Sequence, residues 1–181
     1  MNRRLIRDQI RQKRAQIPAT VQRTTSTLIA QDVTNLPIFI NSQYIAGYIS
    51  VGNEIDPFGI LQRAWDLKKI CCLPVVTAEK FLVFIKYYPG DPLQLNRYQI
   101  PEPIFNPNNL IPITQLDLVL VPVVAFDTSH NRLGSGAGFY DRTFAKLQRK
   151  AFLLGLAYTF QKIDHIDKQW WDVTLDEIVA R

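Results

Sequence analysis

The chain is poor in the side chains that staple or metallate small proteins. Its 181 residues include two cysteines, two histidines and one methionine. Cys71 and Cys72 are adjacent, and neighbours on a strand point to opposite faces, so they are poorly placed to bridge each other or to share a metal. They read as small core residues in a reducing cytosol. His130 and His165 fit no catalytic motif and read as surface residues. Long apolar runs are also missing. LDLVLVPVVAF and AFLLGLAY stop short of a bilayer span, and the opening MNRRLIRDQIRQKR has charge with no apolar segment behind it. Neither membrane insertion nor a secretory leader is therefore expected. There is no repeat, low-complexity tract or obvious domain linker. With 47% hydrophobic and 20% charged residues, the composition excludes a disordered tail, a coiled coil and a collagen-like fibre. The length suits one domain with a sizeable core.

The net charge of +5 is concentrated at one end. The first 23 residues hold seven of the 21 Lys/Arg (Arg3, Arg4, Arg7, Arg11, Lys13, Arg14 and Arg23) and one of the 16 acids, Asp8, a net +6. The rest has 14 basic against 15 acidic residues, a net −1. A neutral body with a basic arm argues against a broad nucleic-acid surface and for a local anionic partner.

Periodicity predicts a helix over residues 3–17, with Ile6, Ile10 and Ile17 on one face and Arg3, Arg7, Arg11 and Arg14 as a stripe beside it. Pro18 ends that helix, and residues 19–34 form a second with Leu28, Ile29 and Val33 inward. Strands follow at 44–50, 70–76 and 81–88, with a helix after Pro57 between the first two. The Pro- and Asn-rich stretch 89–112 reads as a long ordered connection. LDLVLVPVVAF (116–126) is a nearly continuous apolar strand, of the kind buried on both faces of a parallel sheet. A Gly-rich loop, the helix FYDRTFAKLQRK, the strand AFLLGLAY and a last short strand in VTLDEIVA complete the chain. Alternating strands and helices indicate an α/β fold with a mostly parallel sheet.

The most informative stretch is RLGSGAGFYDR, Arg132 to Arg142, where Gly134, Gly136 and Gly138 alternate between a buried strand and a helix. Backbone N–H groups can converge on a phosphate there because no Cβ blocks its approach. Tight strand–helix packing is the alternative use of such glycines. A dinucleotide fingerprint starting at Gly134 needs glycine where Phe139 stands, and a P-loop needs Lys-Ser/Thr where Phe139-Tyr140 stands, so neither is supported. Asp141 follows the loop directly. A carboxylate beside phosphate calls for a bridging cation such as Mg²⁺, unless it merely satisfies donors in the helix's first turn.

VPVVAFDTSHNRLGSGAGFYDR resembles the hallmark of the 5-formyltetrahydrofolate cyclo-ligase, or methenyltetrahydrofolate synthetase, family. RRLIR, YISVGNEID, YYPGDPLQLNRYQIPEP, LLGLAYTFQ and WWDVTLDEIV resemble its other blocks in order, so the likeness covers nearly the whole chain. The resemblance implies a single three-layer α/β domain with a Rossmann-like sheet. It also implies ATP- and Mg²⁺-dependent conversion of 5-formyltetrahydrofolate to 5,10-methenyltetrahydrofolate, in a cytoplasmic monomer with no nucleic-acid or membrane partner. On this likeness ATP meets Arg3, Arg4, Leu5, Ile6 and Arg7, and then Arg132, Leu133, Gly134, Ser135, Gly136, Ala137, Gly138, Phe139 and Tyr140. Folate meets Ile49, Glu54, Tyr98 and the Ser135–Phe139 stretch; Arg132 and Asp141 are catalytic, and Asp141 and Asp172 hold the metal. Arg3 stands where lysine is usual, Phe139 where tyrosine is, Asn131 where glycine is common, and Trp171 where histidine is common. The Arg3 and Trp171 departures keep open a folate-binding relative without turnover.

Overall fold

The computed structural model describes residues 2–145 and 151–181. Helix α1 (Arg3–Ala15) is capped by Asn2, whose side chain accepts from the Arg4 and Leu5 N–H groups. It ends two residues earlier than the sequence predicts. Pro18 then precedes α2 (Ala19–Thr34), since a proline cannot continue a helix but can lead into one. Ile29 and Val33 are fully buried on α2, whereas Leu28 is 43% exposed, correcting the inward face read from the sequence. A short helix not foreseen in the sequence, α3 (Pro37–Asn41), leads to β1 (Tyr44–Ala46). The strand expected to reach residue 50 stops there, and Gly47–Asp56 becomes a loop. Then come α4 (Phe58–Asp66), β2 (Ile70–Val76) and β3 (Leu82–Lys86). The long connection is structured by the hairpin of β4 (Leu93–Leu95) and β5 (Pro101–Pro103) and by β6 (Leu110–Ile111).

The predicted strand 116–126 is broken. It forms β7 (Leu118–Pro122) in the main sheet, then β8 (Ala125–Phe126), which pairs instead with β9 (Arg132–Leu133). Helix α5 begins at Phe139 and is described to Phe144; residues 146–150 of the predicted helix lie outside the described residues. The last strands are β10 (Phe152–Ala157) and β11 (Glu177–Ala180).

The main sheet runs β11–β10–β7–β1–β2–β3–β6. From β11 to β2 the strands are mutually parallel, and β3 and β6 extend the far edge antiparallel. This bears out the α/β fold with a mostly parallel sheet. Taken in chain order, the parallel strands lie 2-1-3-4-5, a doubly wound arrangement whose direction reverses between β1 and β7. Ligand crevices form beyond the carboxyl ends of strands at such a reversal.

Both faces of the sheet are covered. Leu118 and Leu120 pack with Ile29, Val33, Ile60 and Leu61 from α2 and α4, while Val119 and Val121 pack with Phe84 and Phe144 on the other side. Cys71 belongs to the first cluster and Cys72 to the second, so the adjacent thiols do face apart. Burial pushes the Cys71 thiol up to about 12, consistent with an inert core residue. A third cluster seats α1 on the β8–β9 hairpin through Ile10, Val124, Ala125, Leu133 and Ile166. Among the described residues no helix is long and apolar enough to cross a membrane.

Candidate active site

The Gly-rich loop leaves β9 and crosses the carboxyl end of the sheet. Its entry is held by Asp127, which is 2% exposed. Asp127 accepts from the Ser129 and Asn131 N–H groups, the Asn131 amide and the Ile166 N–H, all at 2.9–3.0 Å. Burial opposes its charge, but these donors outweigh burial and hold the carboxyl below the usual range. In this turn His130 takes the left-handed backbone, with φ 58°. His130 is half-buried, with Nδ1 at 3.0 Å from the Asp176 carbonyl, so only the exposed His165 fits the surface reading. Further on, Gly136 has φ 106° and Gly138 φ 68°. A side chain at either would cost on the order of 1 kcal/mol in strain. Helix α1 folds back over this loop: Arg7 Nε donates to the Gly134 carbonyl at 2.8 Å, and Arg11 Nη2 to the Ser135 carbonyl at 2.7 Å.

One side of the loop bounds a cavity of about 540 Å³ at the carboxyl ends of β1 and β7. Its wall is largely apolar, with Tyr48, Ile49, Leu73, Pro122, Val124 and Phe139. Glu54 is set into it beside Arg14, with Arg14 Nη1 3.3 Å from Oε1, and Glu102 and Asp141 lie elsewhere on the same wall. Arg14 is 6% exposed, and its Nε donates to the Gly52 carbonyl at 2.8 Å. Asn53 Nδ2 donates to the Arg14 carbonyl at 3.3 Å, which binds the Val51–Glu54 loop to the end of α1. Burial is the main influence on Glu54 and pushes its carboxyl up, while Arg14 and the Val51 N–H pull the other way.

The other side of the loop bounds a second cavity, of about 650 Å³, with a different chemistry. Arg3, Arg7, Arg132 and Arg142 lie on its wall with two carboxylates, Asp141 and Asp172. Arg3 pairs closely with Asp172, which also accepts from the Gln169 N–H at 2.8 Å. Burial opposes the Asp172 charge, but the Arg3 and Gln169 donors prevail and its carboxyl stays below the usual range. Arg132 Nη2 stands 3.0 Å from Asp141 Oδ1, and the Val173 N–H reaches the same oxygen at 3.1 Å. Arg132 Nη1 donates to the Val173 carbonyl at 2.6 Å, whereas its Nε is buried with no partner among the described residues. Arg132, Gly134, Gly138 and Asp141 belong to both walls, so the loop is the partition between the cavities.

Most residues picked from the sequence meet here. Arg3, Arg7, Leu133, Gly136, Ala137 and Asp172 line the arginine-rich cavity, and Ile49, Glu54, Ser135, Phe139 and Tyr140 the apolar one. Three do not. Arg4 and Leu5 point to solvent, and Ile6 packs under α1 in the third core cluster. Tyr98 reaches the apolar cavity only through Phe139, against which its ring lies edge-on at 5.2 Å. Arg11 and Arg14, to which the family likeness assigns no role, also line the apolar cavity, and their place in the arginine stripe is the sequence signal for it. Among the described residues no group of three or more His, Cys, Asp or Glu side chains comes together. A cation held by Asp141 and Asp172 would draw its remaining ligands from water and phosphate, the mode Mg²⁺ favours, and the all-oxygen donor pair fits that ion.

The fold and site define a doubly wound α/β protein with a largely apolar cavity on one side of a glycine loop and an arginine-lined cavity on the other. The chain belongs to the 5-formyltetrahydrofolate cyclo-ligase family, whose model matches residues 1–181. It is 37% identical to the 5-formyltetrahydrofolate cyclo-ligase of Haemophilus influenzae, over 98% of this chain and 97% of that one. It is 31% identical to that of Escherichia coli K12, over 94% and 96%. Among solved structures it resembles the Aquifex aeolicus 5,10-methenyltetrahydrofolate synthetase, with TM-score 0.85 and 26% identity over 99% of this chain and 90% of that one. The Mycoplasma pneumoniae synthetase gives TM-score 0.72 and 28% identity, over 98% of each chain.

Proposed function

We propose that the chain converts 5-formyltetrahydrofolate to 5,10-methenyltetrahydrofolate with ATP and Mg²⁺, releasing ADP and phosphate. The observation that carries this reading is the shared wall: the Gly134–Gly138 partition touches both a largely apolar cavity that holds Glu54 and a cavity lined by arginines. The folate ring takes the apolar side, with its N–H donors on Glu54. The triphosphate takes the arginine side, where Arg3 and Arg7 supply planar donors suited to phosphate oxygens. The formyl oxygen attacks the γ-phosphorus and ADP leaves. The neighbouring folate nitrogen then attacks the activated carbon, loses its proton and closes the ring as phosphate departs with the oxygen.

An amide oxygen is a weak nucleophile, so most of the catalysis lies in positioning and charge neutralisation. Arg132 spans both cavities and faces the transferring phosphoryl group. Its unpartnered Nε leaves a donor available for an oxygen there. Asp141 and Asp172 are the residues that would hold Mg²⁺, which neutralises phosphate charge when bound. The buried, unpaired cysteines support a reducing cytoplasm. The deciding experiment mixes pure protein with ATP, Mg²⁺ and 5-formyltetrahydrofolate and follows the methenyl-folate absorbance. No absorbance change overturns the reading.

A further inference from the structure

Two aromatic side chains at the mouth of the arginine-lined cavity play no part in the chemistry above. Trp170 is 89% exposed and Trp171 46% exposed, and their rings meet edge to face at 5.2 Å. Both lie on the wall of the cavity that Arg3, Arg7 and Arg142 line. A lone exposed tryptophan is ordinary; a pair of them sharing a cavity wall with several arginines is a different environment. Phe81, 37% exposed, adds a third aromatic to the same wall.

The segment carrying the indoles is tied down. Asp172 pairs with Arg3, Arg3 also donates to the Asp167 carbonyl, and Lys168 Nζ donates to Thr174 Oγ1 at 2.6 Å. The chain segment that carries the indoles is therefore anchored beside Arg3. Chemically the wall divides in two. Guanidinium groups offer paired donors to phosphate oxygens, and the aromatic rim offers a π-face to a flat ring. A nucleotide is the small molecule that presents both, with its base a sugar's length from its phosphates.

We propose that Trp170, backed by Trp171, is the stacking platform for the purine base of the nucleoside triphosphate, and so separates a nucleotide from a bare polyphosphate. This rests on the proposed use of ATP, and the two ideas fail in different ways. Stacking tolerates any flat base, so the platform favours nucleotides over inorganic polyphosphate more than it favours one base over another.

The test is calorimetric titration of the full chain with ATP and with inorganic tripolyphosphate, each with Mg²⁺ and without folate. The wild-type protein is expected to bind ATP about tenfold more tightly than tripolyphosphate, the scale of one stacked base. Trp170→Ala should erase most of that advantage and leave tripolyphosphate affinity unchanged, while Trp170→Phe should keep part of it. ATP should quench tryptophan fluorescence in the wild type, and tripolyphosphate should not. Equal affinity of the wild type for the two ligands overturns the platform, as does an ATP preference that survives Trp170→Ala. Either result leaves triphosphate binding intact. Failure of both ligands to bind the wild type removes the ATP reading and the platform with it.

Discussion

Arg14 Nη1 stands 3.3 Å from Glu54 Oε1, inside a cavity whose wall is otherwise mostly apolar. This pair joins the last turn of α1 to the loop after β1. The same helix carries Arg3 and Arg7 to the other cavity, so one stripe of arginines serves both halves of the site. The step of four, four and three residues that sets this stripe is a property of helical geometry. It places the charge of a basic arm along one line across the glycine partition.

The first prediction concerns folate affinity. Glu54→Gln removes an ionised acceptor and is expected to weaken 5-formyltetrahydrofolate binding by about 2 kcal/mol, roughly thirtyfold. Calorimetry without ATP measures it. Binding needs the ionised carboxylate, and burial raises its pKa, so affinity is full above that raised value and falls as pH drops through it. Burial sets the rise, and Arg14, the Val51 N–H and Arg11 oppose it. Arg14→Met leaves burial less opposed, so the fall should begin at higher pH than in the wild type. An unchanged pH profile in that variant would separate Arg14 from Glu54.

A second prediction tests the division of labour along α1. Arg7 donates to the Gly134 carbonyl and faces the arginine-lined cavity. Arg7→Ala should raise the KM for ATP by about tenfold or more while changing the KM for folate little, since one charge-assisted contact is worth about 1.5–3 kcal/mol. Steady-state kinetics with each substrate varied in turn decide it. A larger effect on folate would place the arm on the other side of the partition.

Much of this was legible in the sequence, and the exceptions share a cause. Alternating strands and helices, the opposed cysteines and the glycine loop are local patterns, and local geometry expresses them directly. The break after Pro122 was hidden because Val123, Val124, Ala125 and Phe126 stay buried after leaving the main sheet, so the apolar run continues while the pairing partner changes. Arg14 looked like one more solvated cation because its partners, Gly52 and Glu54, lie about 40 residues away in sequence. Leu28 fitted a helical face yet faces solvent, because α2 buries a narrower stripe around Ser26, Ile29, Ala30 and Val33. Long-range pairing fixed each outcome, and composition does not carry it.

Asp127 yields a third prediction, on stability. Both its oxygens accept from two donors, so Asp127→Asn turns an acceptor into a donor facing the Asn131 amide or the Ile166 N–H. The expected loss at neutral pH is about 3 kcal/mol, seen by urea denaturation. The folded-state pKa is depressed, so the stabilisation from Asp127 is present above the unfolded carboxylate value and is lost as pH falls through the folded value. The gap between wild type and variant should therefore narrow on acidification. A gap that does not change with pH would mean that the charge of Asp127 contributes nothing.

The fourth prediction separates the two roles that Asp141 combines. Its Oδ1 receives both the Arg132 guanidinium at 3.0 Å and the Val173 N–H at 3.1 Å, which makes it structural as well as a candidate metal ligand. Asp141→Ala leaves the buried Arg132 charge without its carboxylate and should cost about 3–5 kcal/mol of stability, so lost activity there has two possible causes. Asp141→Asn keeps an oxygen for the Val173 N–H and for Arg132 but removes the negative charge that a cation needs. Turnover in the Asn variant should fall by about a hundredfold or more, the scale of losing one preorganised electrostatic contact at a transferring group. Its melting temperature should lie nearer the wild type's than the Ala variant's. Raising Mg²⁺ should recover part of the Asn variant's turnover, because the weakened site then needs a higher concentration to fill. A well-folded Asn variant with near-normal turnover and an unchanged Mg²⁺ requirement would show that the carboxylate serves Arg132 alone.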